Sequence, residues 1–271
     1  LGAQCARAQE SAGTREPVGL PATALTWLQH QVSGSARIGR FTYTRTPFNG
    51  YFDIYRHLHS AATLALALAD CQFTPQGFMD LEPDAGSGWV STRRDTEDYV
   101  EGTPLSPLGR ALPETRRLLR AQWRRVITVG EYALALHVPG GAPLDPPSCR
   151  ASLQQAEAFF NGYFPEAVSV CTLVSWIASP LVGRAVPPNS NLARFQAETY
   201  LYPVPARGDE HLFRIFGPGP FNPATASADT TLRKGVLSQL RRGQKWRWGG
   251  LFVLFEGLPH YGEQWYRMNW A

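Results

Sequence analysis

The apolar positions of the chain change period several times, and each change predicts an element. Residues 1–22 begin with a polar stretch that has no apolar repeat, which predicts a mobile arm or the remnant of an upstream segment; the chain opens on Leu1, as a fragment or a processed product would. TALTWLQHQV (23–32) has helical spacing, and SGSARIG then interrupts it. RFTYTRT alternates large and polar residues as a half-buried strand does, and so does YFDIYRH. The two are separated by a stretch ending in Asn49-Gly50, so they are expected to pair as an antiparallel hairpin.

Regularity is weakest over residues 58–112, which reads as an irregular insertion. Within it ATLALALAD fits either helix or strand, PDAGSGW is a loop, and EDYVEG is a strand. PETRRLLRAQWRRVI places Leu118, Leu119, Trp123 and Val126 at helical spacing with arginines on the remaining face, and Pro113 suits a first turn; a helix is expected.

A different pattern follows. EYALALHV is apolar enough for a central strand, a Pro-Gly-Gly turn ends it, and a helix is expected over residues 146–163 before the strand AVSVCTLVSWIA. Strand, helix and strand at this spacing form a βαβ unit with parallel strands and a right-handed crossover. Beyond it are expected a helix at NSNLARFQAETY capped by Ser190 or Asn189, a strand at HLFRIFG, a helix at TTLRKGVLSQLRR and a strand at GLFVLFEG. Residues 23–271 thus read as one α/β (α+β) domain.

Composition narrows the class. Apolar residues make up 44%, aromatics 12% and charged residues 18%, as in a globular chain with a real core. The net charge of +4 permits an anionic ligand and is too small to argue for nucleic acid. Cys5, Cys71, Cys149 and Cys171 are widely spaced, which predicts free thiols in a reducing cytoplasm and no metal site. No apolar run approaches the roughly 20 residues that a membrane span needs, so no membrane association is expected.

The turn HVPGGAPLD carries most of the candidate chemistry. Gly140 and Gly141 let backbone amides approach a ligand at the start of a helix, where the dipole favours negative charge. Asp145 stands at the N-cap and competes for those amides. His137 can take a proton from an amine, or be a buried histidine bonded to the backbone. Glu131, at the start of the same strand, is a second candidate base or a solvated strand end. Ser175 and Trp176 lie where the second parallel strand ends and are pocket candidates. Cys171 is a nucleophile only if a base stands beside it, and otherwise packs in the core. RRGQKWRWGG and RRLLRAQWRR mix cations with indoles, as single-stranded nucleic-acid or nucleotide sites do and as solvated basic faces do.

Several of these segments occur in a specific order: IGRFTYTR, LSPLGRA, GEYALALHVPGGAPLDPPSCRASLQQAEAFFNGYFPE, CTLVSWIASP, VPPNSNLARFQ and TTLRKGVLSQLRRG. Together they resemble a bacterial acyltransferase family with a GNAT-like C-terminal domain. The resemblance covers the chain from about Trp27 to Gly250. It implies a GNAT-like acyltransferase fold, with a mixed central sheet flanked by helices, and transfer of an acyl group from acyl-CoA, acetyl-CoA or another thioester to a small-molecule or peptide amine. It also implies that Leu136 and Val138 lie on the strand edge that meets pantetheine, that Gly140 and Gly141 stand in for the phosphate loop, and that Tyr200 is a candidate acid for the leaving thiolate. PGGAPLD departs from the Q/R-x-x-G-x-G/A loop usual in GNAT enzymes, which puts the manner of CoA binding in question. Two other readings stand beside acyl transfer: a catalytically silent GNAT-like module that binds a ligand or a protein, and a nucleic-acid binder.

Overall fold

The computed structural model describes residues 22–60, 62–81, 88–208 and 212–270. The arm expected at 1–22 lies outside them except for its last residue, as do Cys5 and most of the PDAGSGW loop. Helix α1 (Ala22–Ser33) leads into strands β1 (Ala36–Ile38) and β2 (Phe41–Pro47). Ten strands follow, several of them short: β3 (Phe52–His57), β4 (Thr63–Ala67), β5 (Gln72–Phe73), β6 (Trp89–Val90), β7 (Arg93–Asp95), β8 (Tyr99–Gly102), β9 (Pro104–Ser106), β10 (Arg110–Ala111), β11 (Arg116–Leu119) and β12 (Trp123–Ile127). The expected βαβ unit comes next as β13 (Tyr132–His137), α2 (Pro146–Tyr163) and β14 (Val170–Ser175). After a 3-10 turn (Trp176–Ala178) the chain forms α3 (Pro180–Ala185), α4 (Asn191–Ala197), β15 (Tyr200–Tyr202), α5 (Leu212–Phe216), α6 (Thr231–Arg241), β16 (Gly249–Leu254), a second 3-10 segment (Phe255–His260) and α7 (Trp265–Met268).

The main sheet has six strands in the order β1-β2-β13-β14-β16-β15. Only β13 and β14 run parallel; every other neighbouring pair is antiparallel. Alternation divides its side chains cleanly. Leu134, Leu136, Cys171, Leu173, Leu251 and Val253 face α2 and pack on Cys149, Leu153, Ala156 and Phe160. Ala133, Val170, Tyr200, Phe252 and Leu254 face the other way and pack against a second sheet, of order β10-β9-β4-β3-β12, through Phe52, Ile54, Ala65 and Leu105. The result is a helix layer, a mixed sheet and an antiparallel sheet.

Several expectations are corrected. RFTYTRT and YFDIYRH do not form a hairpin: β2 pairs with β1 and β13, while β3 pairs with β4 and β12 in the other sheet. A type I′ turn needs positive φ at both Asn49 and Gly50, and neither has it. Gly50 is there because the Phe48 ring lies against it; an added Cβ would fall 2.2 Å from Phe48 Cζ. PETRRLLRAQWRRVI is not a helix. It forms β11 and β12, with Leu118 and Ile127 turned inward and Arg117 and Arg124 turned outward to Glu101 and Glu256. The segment 58–112 is built of short strands rather than being irregular, and ATLALALAD resolves as β4, buried on both faces. HLFRIFG is helical where a strand was expected. Tyr200 and Tyr202 sit on β15 and not on the preceding helix, which Ser190 caps by accepting from the Ala193 amide.

Candidate functional site

The site is built where the two parallel strands separate. β13 and β14 pair only at Leu134↔Cys171 and Ala135↔Thr172. Beyond that row each continues on its other neighbour, β13 to His137↔Thr42 on β2 and β14 to Ser175↔Gly249 on β16. Leu136 and His137 therefore face Leu173, Val174 and Ser175 across a gap with no ladder between them. A gap of this kind presents strand-edge amides and carbonyls to anything extended that enters it.

The two walls differ by face. Leu136 and Leu173 are buried against α2 and form an apolar side. On the opposite side the second sheet stops short: His137 is exposed and Val174 is 46% exposed, although Ala133 and Val170, on the same face, are sealed. His137 makes no side-chain hydrogen bond to another described residue, so its ring nitrogens are free to meet a ligand. The reading of His137 as a buried histidine bonded to the backbone is therefore not met.

The turn after β13 is held from beneath by Arg40, a residue that sequence reasoning passed over. Arg40 is only 7% exposed, and its guanidinium donates Nη1 to the Pro139 carbonyl (2.8 Å), Nη2 to that of Ala142 (2.6 Å) and Nε to that of Pro143 (2.8 Å). A trans peptide points its N–H away from its C=O, so drawing the Pro139 carbonyl inward turns the Gly140 amide outward, at a turn where Gly140, Gly141 and Ala142 are all exposed. Gly141 has φ +87°, a conformation that strains any other residue. Arg40 itself is set by the β1–β2 turn. Gly39 approaches Ser152 of α2 so closely that an added Cβ would lie 3.1 Å from the Ser152 Cβ. The Ser152 hydroxyl donates to the Ile38 carbonyl (2.5 Å) and accepts from the Phe41 amide (3.2 Å).

The N-terminus of α2, by contrast, has no free backbone amide to offer in its first turn. Pro146 and Pro147 lack amide hydrogens, the Ser148 amide donates to the Asp145 carboxylate (3.0 Å) and the Cys149 amide to the Asp145 carbonyl (3.1 Å). The Ser148 hydrogen bonds hold the Asp145 carboxyl below its ordinary range. An anion at this corner meets the turn amides and the buried Arg40 charge, and not the helix end.

The other sequence candidates lie as follows. Val138 continues β13 into the turn and is half-buried. Ser175 is half-buried at the end of β14, where its hydroxyl accepts from the Ile177 amide, and Trp176 packs on the cores beside α2 and α3. These residues, with Leu136, His137, Gly140 and Gly141, share one end of the sheet. Glu131 is at the opposite end of β13, about 17 Å from Leu136 at strand rise, and accepts from the Thr128 amide. Tyr200 is fully buried between the sheets. Its hydroxyl donates to the Leu105 carbonyl and accepts from the Ala65 amide and the Trp270 indole, and burial pushes its pKa up. Cys171 is enclosed too, and desolvation raises its thiol well above the usual range. Among the described residues no group of three or more His, Cys, Asp or Glu side chains is placed to hold a metal, and no helix is long and apolar enough to cross a membrane.

The family model described as a GNAT-like C-terminal domain matches residues 36–252. No curated protein matches the chain. Among solved structures, an acyltransferase in complex with CoA and 10C-teicoplanin is 26% identical, with 46% of this chain and 41% of that one covered and a TM-score of 0.42. An acyltransferase in complex with decanoyl-CoA and teicoplanin is 25% identical, with 49% and 44% covered and a TM-score of 0.43. A mutant acyltransferase in complex with octanoyl-CoA is 17% identical, with 93% and 55% covered and a TM-score of 0.49. The chain thus spans little more than half of those chains at most, and at such scores these likenesses carry no structural inference.

Proposed function

Because this chain belongs to the family of GNAT-like C-terminal domains, we propose that it transfers an acyl group from acyl-CoA, or a related thioester, to an amine on a small molecule or peptide. The observation that carries this reading is the parting of β13 and β14 directly before the turn that Arg40 holds. The donor's extended amide chain enters the gap and pairs with the free edge at Leu136–Val138, and its phosphates lie on the Gly140, Gly141 and Ala142 amides. Ser175 and Trp176 form the far wall.

In the reaction the amine nitrogen attacks the thioester carbonyl while His137 takes its proton, directly or through a water. A strand-edge amide polarises the carbonyl oxygen. The carbon–nitrogen bond forms, the carbon–sulfur bond breaks, and the departing thiolate takes up a proton to leave as the thiol. Positioning in the cleft supplies most of the acceleration. Glu131 and Tyr200 have no part in this scheme, because one stands at the wrong end of the strand and the other is sealed between sheets. We place the reaction in the cytoplasm, in keeping with three free thiols among the described residues.

A titration with acetyl-CoA and longer acyl-CoAs tests the reading by thermal stabilisation, which amounts to about 2.7 kcal/mol at a hundredfold excess over Kd. Free-thiol release with a panel of amines then reports turnover. His137→Ala is expected to keep donor binding and lose turnover. A flat response across the acyl-CoA series overturns the proposal. The silent-module reading is favoured by the missing donors at the α2 terminus, and binding without thiol release is its signature.

A further inference from the structure

A second concave site lies apart from the strand cleft. It is a cavity of about 440 Å³ between β10, α3 and the segment leading into β16, and it shares no lining residue with the cleft. Its walls carry Arg110, Arg184, Lys245 and Arg247. The last two share one carboxylate behind the wall, that of Asp80, which accepts from Arg247 Nε (2.6 Å) and Nη2 (2.8 Å) and from Lys245 Nζ (3.1 Å). Burial works against the Asp80 charge, but these two cations outweigh it and hold the carboxyl below its ordinary range. Arg247 is further fixed by the Phe78 ring, 4.8 Å from its guanidinium carbon.

Arg110 and Arg184 have no such partner: neither side chain makes an ion pair or hydrogen bond with another described residue, and no lining residue is acidic. Four cations face one space against a single carboxylate. Such convergence is unfavourable unless an anion completes it. The Lys245–Arg247 wall is also anchored. Trp246, between the two cations of the Lys245–Arg247 segment, is fully buried in the core that joins α3 and α6. Within the basic segment RRGQKWRWGG, Lys245 and Arg247 thus line a cavity while the Trp246 indole between them packs into the core, where it cannot stack on a base.

We propose that this cavity is a binding site for a small organic anion, held by the free guanidinium groups of Arg110 and Arg184 through carboxylate or phosphate oxygens. Its volume lies within the range of about 300 to 1,000 Å³ usual for small-molecule sites, and planar guanidinium forks match both anions in bidentate geometry. The site stands whether or not the cleft holds acyl-CoA.

Calorimetric titration with citrate and with pyrophosphate separates the two anion chemistries and tests the site. The protein is expected to bind at least one of them one to one, more weakly at higher salt. Arg110→Gln and Arg184→Gln should each weaken that binding about tenfold, and the double variant should abolish it, while Arg242→Gln, at the C-cap of α6 and outside the cavity lining, leaves it unchanged. Both arginines are exposed, so unaltered melting curves are expected. Failure of the protein to bind either anion overturns the proposal, and so does equal affinity in the double variant. Acyl-CoA binding measured on the same double variant is expected to persist; its loss would show that the cavity belongs to the donor site and refute its independence.

Discussion

Replacing Arg40 with Ala removes the side chain that binds three carbonyls of the turn after β13. The residue makes three hydrogen bonds from a charged donor, each of a kind worth about 1.5–3 kcal/mol. Water reaches part of the vacated site, since Gly140 to Pro143 are exposed, so the lower end applies and not all of the sum is lost. A destabilisation of about 3 kcal/mol is expected, which for a chain of this size lowers Tm by roughly 6–12 °C. Urea denaturation should show a lower midpoint with an unchanged slope. Arg40→Lys keeps the charge but cannot span three carbonyls, and should fall between. Below the variant's melting range, acyl-CoA affinity should still drop at least tenfold, because the turn no longer aims its amides outward. A loss of less than about 1 kcal/mol, or unaltered acyl-CoA affinity in a folded Arg40→Ala variant, would refute the role assigned to this residue.

Three further outcomes are expected. Gly141→Ala should cost about 1–2 kcal/mol and weaken acyl-CoA binding, since Gly141 has positive φ, whereas Gly140→Ala should leave stability unchanged, because its added Cβ meets open space; equal effects in melting and binding would contradict the turn geometry. Tyr200→Phe strands the Leu105 carbonyl and two donors, and should cost about 1–3 kcal/mol while acyl transfer persists; lost turnover in a fully stable variant would instead place Tyr200 in the chemistry. His30 packs edge-on against Phe160 and Phe164, and burial, then the nearby Arg45, lowers its pKa. The unfolded chain therefore binds the proton first, so the stability from this group is present above the usual histidine range and is lost as pH falls through the lowered folded value. Urea midpoints at pH 7.5 and 5.5 should differ less in His30→Gln than in the parent, and an identical difference would remove His30 from the effect.

The βαβ unit could be read from the sequence because its signals are local. A continuous apolar strand, two glycines, Asp145 followed by Pro146-Pro147 and an 18-residue helical repeat each mark a boundary within a few residues of it. The second sheet could not, because its strands are two to six residues long and are defined by partners far along the chain. Over so few residues, the spacing of Leu118, Leu119, Trp123 and Val126 fits a helix as well as two strands joined by a turn. Asn49-Gly50 misled for another reason: the glycine accommodates the Phe48 ring and not a reversal of the chain. The candidate site divides in the same way. His137, Gly140 and Gly141 are visible in one segment, but Arg40 bonds carbonyls about 100 residues away, and nothing in IGRFTYTR announces it. The separation of β13 from β14 depends on each strand keeping its outer partner, which only the register reveals.

Amide hydrogen exchange with and without a saturating acyl-CoA tests the cleft most directly. The account predicts added protection at Leu136–Val138 and at Gly140, Gly141 and Ala142, with none at Glu131 or across the second sheet. Protection confined to the cavity lined by Arg110 and Arg184, or no change in either strand edge or turn while acyl-CoA is bound, would contradict it.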